Sequence, residues 1–169
     1  MRATDDADFT AFVAASSRRL LRGAYLITGD VAEAEDLLQT ALERAYRRWR
    51  WIRQKDVPEA YVRKILVTAA IDAARRRKLS HASLNEDEVP GRLDAAIEGF
   101  PVRSELLSCV RSLPAGQRAV LVLRYFDDLT EAETARVLGC TVGTVKSQHA
   151  RAMARLRELV PGRADGSTQ

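Results

Sequence analysis

The sequence predicts an all-α protein with two small helical domains, joined by a flexible linker, and a helix-turn-helix in the C-terminal domain. Apolar residues recur at spacings of three and four along nearly the whole chain, which is the helical period. No segment shows the alternating pattern of a strand. Near the C-terminus a glycine turn separates two short helical segments, an arrangement typical of DNA-binding proteins.

Charge is distributed unevenly along the chain. Lys and Arg outnumber Asp and Glu by 16 to 11 in residues 1–79 and by 9 to 6 in residues 106–169. Between these blocks, residues 80–105 carry 2 basic and 6 acidic side chains. Two basic blocks on either side of an acidic stretch indicate two modules that face a polyanion such as DNA.

Several protein classes are excluded by what the sequence lacks. The start "MRATDDADFTAF" is acidic and is no signal peptide, and no run approaches the roughly 18 apolar residues of a membrane span. Cys109 and Cys140 form no CxxC pair, so we expect no metal site, two partly buried cysteines and a cytoplasmic location. The sequence shows no phosphate loop, no HExxH motif and no nucleophile with a base partner, so we expect neither a cofactor nor enzymatic activity.

The N-terminal domain, residues 1–79, is predicted to hold three helices. The first contains Phe9, Phe12 and later apolar residues, and "TGD" ends it. The second is predicted as one helix over residues 31–52, "VAEAEDLLQTALERAYRRWRWI", with Asp30 and Glu33 at the spacing of a capping box. The third follows Pro58, which can start a helix, and ends in a run of cations.

Residues 80–103 are predicted to be an acidic, flexible linker, and residues 161–169 a disordered tail. In the C-terminal domain, residues 104–160, the run "AVLVLRYF" predicts burial of Val120, Leu121, Leu123 and Tyr125. Four residues then delimit the final helix pair. Thr130 and Glu133 have capping-box spacing, Gly139 ends the first helix, and Thr141 caps the second.

The last helix has a polar face suited to reading DNA. Off its apolar side lie Lys146, Ser147, Ala150 and Arg151, whose side chains can reach base edges or a thymine methyl group. Arg136, Arg155 and Arg157 could reach phosphates. His149 lies at an apolar position, so we expect it to pack within the domain. The alternative interpretation is the solvated face of an ordinary helical bundle.

With these segments in place, the chain resembles a bacterial extracytoplasmic-function (group IV) sigma factor, near the SigE-family subgroup. "RLLRGAYLITGDVAEAEDLLQTALERAYRRW" and "AYVRKILVTAAIDAARRRK" are similar to sigma domain 2, and "LPAGQRAVLVLRYFDDLTEAETARVLGCTVGTVKSQHARAMARLREL" is similar to sigma domain 4. The similarity runs from about Phe9 to Leu159. It implies a protein that binds core RNA polymerase and directs promoter-specific transcription initiation.

The resemblance also implies surfaces for the polymerase. The "EDLLQ" helix would bind the clamp helices of the largest subunit, and the run from Val120 to Phe126 would bind the flap of the second-largest subunit. By position, the clamp contact falls on Asp36, Leu37, Gln39 and Thr40. The carboxylates near the start of this helix also favour its dipole, which is the structural alternative. An anti-sigma factor is left open as a further partner.

Promoter contacts follow from the same resemblance. The residues that would open and read the minus-ten element are Arg53, Lys55, Tyr61, Arg63, Lys64, Thr68, Arg75 and Arg76. Trp49 and Trp51 are further flat groups, which could instead pack in the core. Cations along a single strand and aromatic rings for stacking fit that task. The upstream element would be read by Lys146, Ser147, Gln148, Ala150, Arg151 and Arg155. Thr68 and Gln148 depart from residues common in relatives, so the relatives' promoter preferences are not carried over.

Two other classes compete with the sigma-factor hypothesis. A stand-alone helix-turn-helix transcriptional regulator would explain residues 104–160 but would leave the "EDLLQ" helix and the arginine cluster without a role. A nucleic-acid-modifying enzyme would need an acid–base or metal set, and none is visible in the sequence.

Overall fold

The computed structural model describes residues 3–81 and 104–160, and all regular structure in these ranges is helical. This confirms the predicted all-α class. The chain divides into two compact units, Met1–Gly99 and Phe100–Gln169. Most of the predicted linker, residues 82–103, and the predicted tail, residues 161–169, lie outside the described residues.

The first unit is a helical bundle with an apolar core. α1 packs against α2 and α4, and α2 also packs against α4. Leu20, Leu38 and Leu66 lie in the shared core, one from each long helix. The helices of this unit are α1 (Ala3–Thr28), α2 (Val31–Arg47), α3 (Trp49–Ile52) and α4 (Pro58–His81). α4 begins at Pro58 as predicted and continues for two residues into the segment predicted to be linker.

The second unit is built around its last helix. It comprises α5 (Ser104–Arg111), α6 (Ala115–Leu121), a π-helical segment (Val122–Phe126), α7 (Glu131–Leu138) and α8 (Val142–Leu159). α8 packs against α5, α6 and α7. Val145 and Ala152 on α8 are fully buried, and each belongs to one of two small apolar clusters. Burial of these two positions leaves the opposite face of α8 exposed.

The prediction of one helix over residues 31–52 is wrong. α2 ends at Arg47, and α3 begins at Trp49. Arg48 has φ −115° and ψ 14°, and its backbone N–H donates to the carbonyl of Ala45 at 3.1 Å, one residue short of an α-helical bond. Ala45, Trp49 and Ile52 are buried and keep spacings of four and three across the break. Periodicity therefore could not reveal it.

The predicted burial of Tyr125 is also wrong, since its relative exposure is 62%. The chain leaves α-helical geometry at Val122, and the N–H of Asp127 donates to the Val122 carbonyl at 3.0 Å, five residues back. A π-helical turn holds more residues than an α-helical one, so the side chains that follow it are rotated. Leu123 stays fully buried while Tyr125 faces out.

Of the two predicted capping boxes, one is complete. The Thr130 hydroxyl accepts from the Glu133 N–H at 3.1 Å, and the Thr130 N–H donates to the Glu133 carboxylate at 2.7 Å. At the start of α2, Asp30 caps the Glu33 N–H at 2.8 Å, but the Glu33 carboxylate binds Arg77 on α4. A charged partner from another helix has replaced the reciprocal cap.

Candidate nucleic-acid and polymerase interfaces

The turn between α7 and α8 fixes the start of the proposed reading helix. Gly139 has φ 66° and ψ 34°, in the left-handed region that favours glycine. The Thr141 hydroxyl accepts a hydrogen bond from the Thr144 N–H at 3.1 Å and so caps α8. Both features confirm the local prediction. They orient the first turns of α8 as a rigid extension of the unit's core.

The structure brings most of the predicted upstream-reading residues onto one exposed face of α8. Five of the six predicted residues are exposed, and Gln148 is half-buried. The exposed residues are Lys146, Ser147, Ala150, Arg151 and Arg155. The Lys146 Nζ lies 3.8 Å from the Glu131 carboxylate of α7. This contact is solvent-exposed, so it leaves the ammonium group available for a stronger anionic partner.

His149 is half-buried beside this face and contacts Tyr125 of the π-helical segment. Its Nε2 is 2.6 Å from the Tyr125 hydroxyl, and the two ring centroids are 5.7 Å apart. From the sequence we expect His149 to pack within the domain, and the structure places its ring half-buried against the Tyr125 ring. The partner is Tyr125, the side chain wrongly predicted to be buried.

A second exposed surface lies where α3 ends and α4 begins. Trp51 is 50% exposed, and its ring lies 5.4 Å from the Tyr61 ring in an edge-on arrangement. The Lys55 Nζ is 4.0 Å from the Trp51 ring centroid, and Arg48 donates a hydrogen bond to the Tyr61 hydroxyl at 3.3 Å. The cluster therefore combines two aromatic rings with two cations. Sequence reasoning did not assign Arg48, because its neighbours come from the far side of the loop.

The exposed side of α4 continues this surface. Lys64, Thr68, Arg75 and Arg76 are all exposed, and their spacing places them on one side of the helix. The Thr68 hydroxyl donates to the Lys64 carbonyl at 2.8 Å. Asp72 is exposed on the same side, an acidic residue that the sequence-based site did not include.

Two of the residues predicted to contact the minus-ten element, Arg63 and Arg53, form ion pairs within the first unit. Arg63 is buried and forms an ion pair with Glu59 at 2.5 Å, and Glu59 also accepts from Ser16 at 3.4 Å. Arg53 forms ion pairs with two carboxylates of α1. Trp49, the other aromatic residue considered, is buried with its ring 5.1 Å from Phe9. Arg63 and Trp49 are thus buried within the unit, and Arg53 is paired with α1.

The predicted polymerase-binding residues lie along α2. Asp36, Gln39 and Thr40 are exposed and Leu37 is half-buried. Beside them runs a groove of about 450 Å³, with Phe9, Leu38 and Leu42 forming its apolar floor. Acidic and polar side chains line the rest of the groove: Glu35, Gln39, Glu43 and Tyr46. An apolar groove beside carboxylates suits a partner helix that has both apolar and basic residues.

Residues 3–81 and 104–160 contain no cluster of three or more His, Cys, Asp or Glu side chains able to hold a metal ion. No helix within these ranges has the length and apolar character needed to cross a bilayer.

Comparison with known proteins identifies the two units. Residues 12–79 match the family model for Sigma-70 region 2, and residues 103–156 match the model for Sigma-70, region 4. The first unit therefore carries region 2 and the second region 4. A chain with both regions, and with exposed cationic surfaces on each, is a sigma factor of RNA polymerase.

Relatives define the group more closely. Over 157 residues the chain is 38% identical to the RNA polymerase sigma-E factor of Streptomyces coelicolor, covering 92% of this chain and 88% of the relative. It is 34% identical to the ECF RNA polymerase sigma factor SigM of Mycobacterium tuberculosis, covering 85% of this chain and 72% of the relative. The protein belongs to the extracytoplasmic-function sigma factors, which are transcription initiation factors that bind core RNA polymerase and promoter DNA.

A solved structure shares the fold. The sigma factor RpoE from Bartonella quintana, determined in complex with the anti-sigma factor NepR, gives a TM-score of 0.72 at 24% identity. The match covers 90% of this chain and 96% of that one. At this identity the likeness establishes the fold of the chain.

Proposed function

We propose that this sigma factor reads its promoter with two separate surfaces, one on each unit. The aromatic and cationic surface at α3 and α4 binds the unpaired minus-ten strand, and the exposed face of α8 reads the duplex upstream. In domain terms, residues 1–79 act as sigma domain 2, residues 104–160 as sigma domain 4, and residues 80–103 connect them.

The observation that carries the proposal is the cluster around Trp51. An exposed indole next to Tyr61, with Lys55 and Arg48 against the two rings, offers stacking and charge at the same place. Single-stranded DNA needs both, because its bases expose π-faces and its backbone carries regularly spaced charges. Lys64 and Arg76 extend the positive charge along α4.

The upstream contacts fall on the first turns of α8. Lys146 and Arg151 can donate to guanine acceptors, Ser147 can donate or accept, and Ala150 can pack on a thymine methyl group. Arg155, further along the helix, suits a phosphate contact. Gln148 is half-buried, so its contribution is confined to bases near the edge of the site.

Binding to core polymerase is assigned to α2. Asp36, Gln39 and Thr40 form the polar part of the surface, with Leu37 beside them. The apolar run from Val120 to Phe126 is assigned to the flap, and the exposure of Tyr125 makes that residue its most accessible member. The protein acts as a non-catalytic factor in the cytoplasm, where its polymerase is found.

Reconstitution with core polymerase tests the function. Purified full-length chain should give run-off transcripts from specific genomic promoters when core enzyme is present, and none without it. Absence of specific transcripts from every genomic promoter would contradict the proposal. A Trp51→Ala variant should bind core enzyme normally but open promoters poorly, whereas Trp51→Phe should retain most activity.

A pull-down without DNA separates the sigma factor from the alternative of a stand-alone helix-turn-helix regulator. The sigma factor captures core polymerase, and the Asp36→Ala/Gln39→Ala variant should lose it. A stand-alone regulator would capture DNA but no core enzyme. The same experiment in a native lysate tests for the anti-sigma factor left open as a partner, since such a protein would displace core polymerase.

A further inference from the structure

Arg53 is held between two carboxylates that differ sharply in exposure. Its Nη1 lies 2.9 Å from Oδ1 of Asp5 and 2.8 Å from Oδ2 of Asp8. The Asp5 side chain is 4% exposed and the Asp8 side chain 50%. Both belong to the first turns of α1, whereas Arg53 ends α3, where the loop leading to α4 begins. One guanidinium therefore has one enclosed partner and one open partner.

Asp5, the buried partner, holds the Arg53 guanidinium in place. A buried carboxylate requires a counter-charge, because transfer from water to the interior is otherwise too costly. Arg53 supplies that charge at 2.9 Å, and the Nε of Arg50 lies 3.8 Å from the same carboxylate. Asp5 therefore fixes the end of α3 to α1. The loop that follows Arg53, residues 54–57, begins from this fixed point.

Asp8, the exposed partner, forms an ion pair with Arg53 that another anion can replace. An ion pair this exposed contributes little, because water screens it and both side chains lose freedom in forming it. A DNA phosphate carries the same charge and can accept two hydrogen bonds from one guanidinium, which a fixed Arg provides well. Asp8 and a phosphate would therefore compete for the same guanidinium group.

We propose that Arg53 exchanges Asp8 for a backbone phosphate of the opened minus-ten strand, while Asp5 keeps the guanidinium in place. Asp8 then lowers the affinity for the single strand, and Asp5 is a positioning residue for the same contact. The inference rests on the proposed minus-ten surface and adds to it Arg53, which the sequence analysis assigned to the minus-ten element. It adds that α1, which bears neither of the cationic surfaces, sets how tightly the opened strand is held.

The chain provides a matched control in Asp6. It lies in the same turn of α1 and carries the same charge, but its carboxylate accepts a hydrogen bond from the Tyr46 hydroxyl at 2.9 Å. That hydrogen bond raises the pKa of Tyr46. Asp6→Asn and Asp8→Asn change the net charge equally, and only Asp8→Asn removes a partner of Arg53.

The test uses holoenzyme reconstituted from the full chain and core polymerase. The probe is a fluorescent fork-junction DNA with an unpaired non-template strand, taken from a promoter that the wild-type holoenzyme transcribes. Asp8→Asn should tighten probe binding by about two- to fivefold, the range expected for loss of an exposed ion pair. The gain should shrink as salt is raised, since both the pair and the phosphate contact are screened. Asp6→Asn should leave the dissociation constant within about twofold of wild type.

Asp5→Asn should weaken probe binding, and Arg53→Ala should remove the effects of both Asp5→Asn and Asp8→Asn. This coupling separates positioning from a general loss of stability, which would persist without Arg53; urea denaturation of each variant provides the stability reference. Equal gains in Asp6→Asn and Asp8→Asn would overturn the exchange in favour of long-range charge. A gain from Asp8→Asn that survives in the Arg53→Ala background would also overturn it.

Different results would contradict the minus-ten assignment of Arg53 and the exchange of Asp8 for a phosphate. If Arg53→Ala leaves probe binding unchanged, Arg53 is no part of the minus-ten surface, and the exchange is overturned with that assignment. If Arg53→Ala weakens binding while Asp8→Asn does not change it, the minus-ten assignment stands, and only the exchange is overturned.

Discussion

The hydroxyl of Tyr125 and the Nε2 of His149 are 2.6 Å apart and join the π-helical segment to the reading helix. The two residues are separated by 24 positions in the chain, and both rings lie at the surface of the second unit. The contact is possible because the π-helical turn carries Tyr125 outward from the buried run that precedes it. It places a polar link between the segment assigned to the polymerase flap and the helix assigned to DNA.

Removing that hydroxyl should loosen α8 modestly. Tyr125→Phe keeps the ring and loses the hydrogen bond, which we expect to lower the free energy of unfolding of the second unit by about 0.5–1.5 kcal/mol. Amide hydrogen exchange along α8, followed by mass spectrometry, measures the change. In a His149→Ala background the same substitution should have almost no effect. A full-sized loss in that background would show that the hydroxyl acts through another group.

Gly139 and Gly143 should respond to alanine in opposite directions. Gly139 has φ 66° and ends α7 in a left-handed conformation, so Gly139→Ala should destabilise the second unit by about 1–2 kcal/mol. Gly143 lies within α8, and a Cβ there would meet the Thr141 Oγ1 at an ordinary 3.7 Å. Gly143→Ala should stabilise by up to about 1 kcal/mol, because alanine favours the helix. Denaturation followed by circular dichroism checks both, and losses of equal size would contradict the assigned turn.

Substitution of Thr130 tests whether its hydroxyl group stabilises the start of α7. Thr130→Ala removes the acceptor for the Glu133 N–H and should cost about 0.5–2 kcal/mol. Thr130→Ser keeps the hydroxyl and should stay close to wild type. Thermal unfolding of the full chain provides the comparison. If serine and alanine lower the stability equally, the hydroxyl is not what stabilises the start of α7.

Arg76 and Arg77, adjacent near the end of α4, should have different roles: Arg77 stabilises the first unit, and Arg76 binds DNA. Arg77 donates to the Thr28 carbonyl at 2.8 Å and pairs with Glu33, so Arg77→Ala should destabilise the first unit by about 1.5–3 kcal/mol. Arg76 is exposed, and Arg76→Ala should leave stability within about 0.5 kcal/mol while weakening binding to the opened strand. Both tryptophans, Trp49 and Trp51, lie in the first unit, so their fluorescence follows its unfolding in urea. A stability loss from Arg76→Ala as large as that from Arg77→Ala would contradict this division.

Substitutions on α8 should separate base reading from phosphate contact. Lys146→Ala and Arg151→Ala should each relax the preference at one or two upstream positions, by about 1–3 kcal/mol for a base contact. Arg155→Ala should weaken all sequences about equally and reduce the salt dependence. Binding of holoenzyme to a library randomised in the upstream element measures these preferences. An unchanged preference in both Lys146→Ala and Arg151→Ala would show that the reading face is wrongly assigned.

Local signals in the sequence were reliable where a structure depends on residues a few positions apart. The Thr130–Glu133 box, the left-handed Gly139, the Thr141 cap and the start of α4 at Pro58 are all settled within four residues. His149 follows helical spacing: it lies four positions after the buried Val145 and three before the buried Ala152, and it is half-buried. The all-α class followed from the same periodicity, repeated along the chain.

Predictions that needed a distant partner were less successful. The break at Arg48 is invisible to periodicity, because Ala45 and Trp49 keep helical spacing on either side of it. Arg63 has the residue type of a DNA ligand but lies buried with Glu59. Glu33 had the spacing to complete a cap, yet it binds Arg77, which is 44 positions away.

The sequence by itself determined the all-α class, the caps at Thr130 and Thr141 and the turn between α7 and α8, since each is a balance of backbone and side-chain energies within a few residues. It also determined the family through the two matching regions. The tertiary structure alone decided which cations are paired, because it brings carboxylates of one helix beside guanidinium groups that lie far away in the chain. Lys64 and Arg53 have the same charge and sit on either side of one loop. Both side chains are exposed, but Arg53 also pairs with the Asp5 and Asp8 side chains of α1.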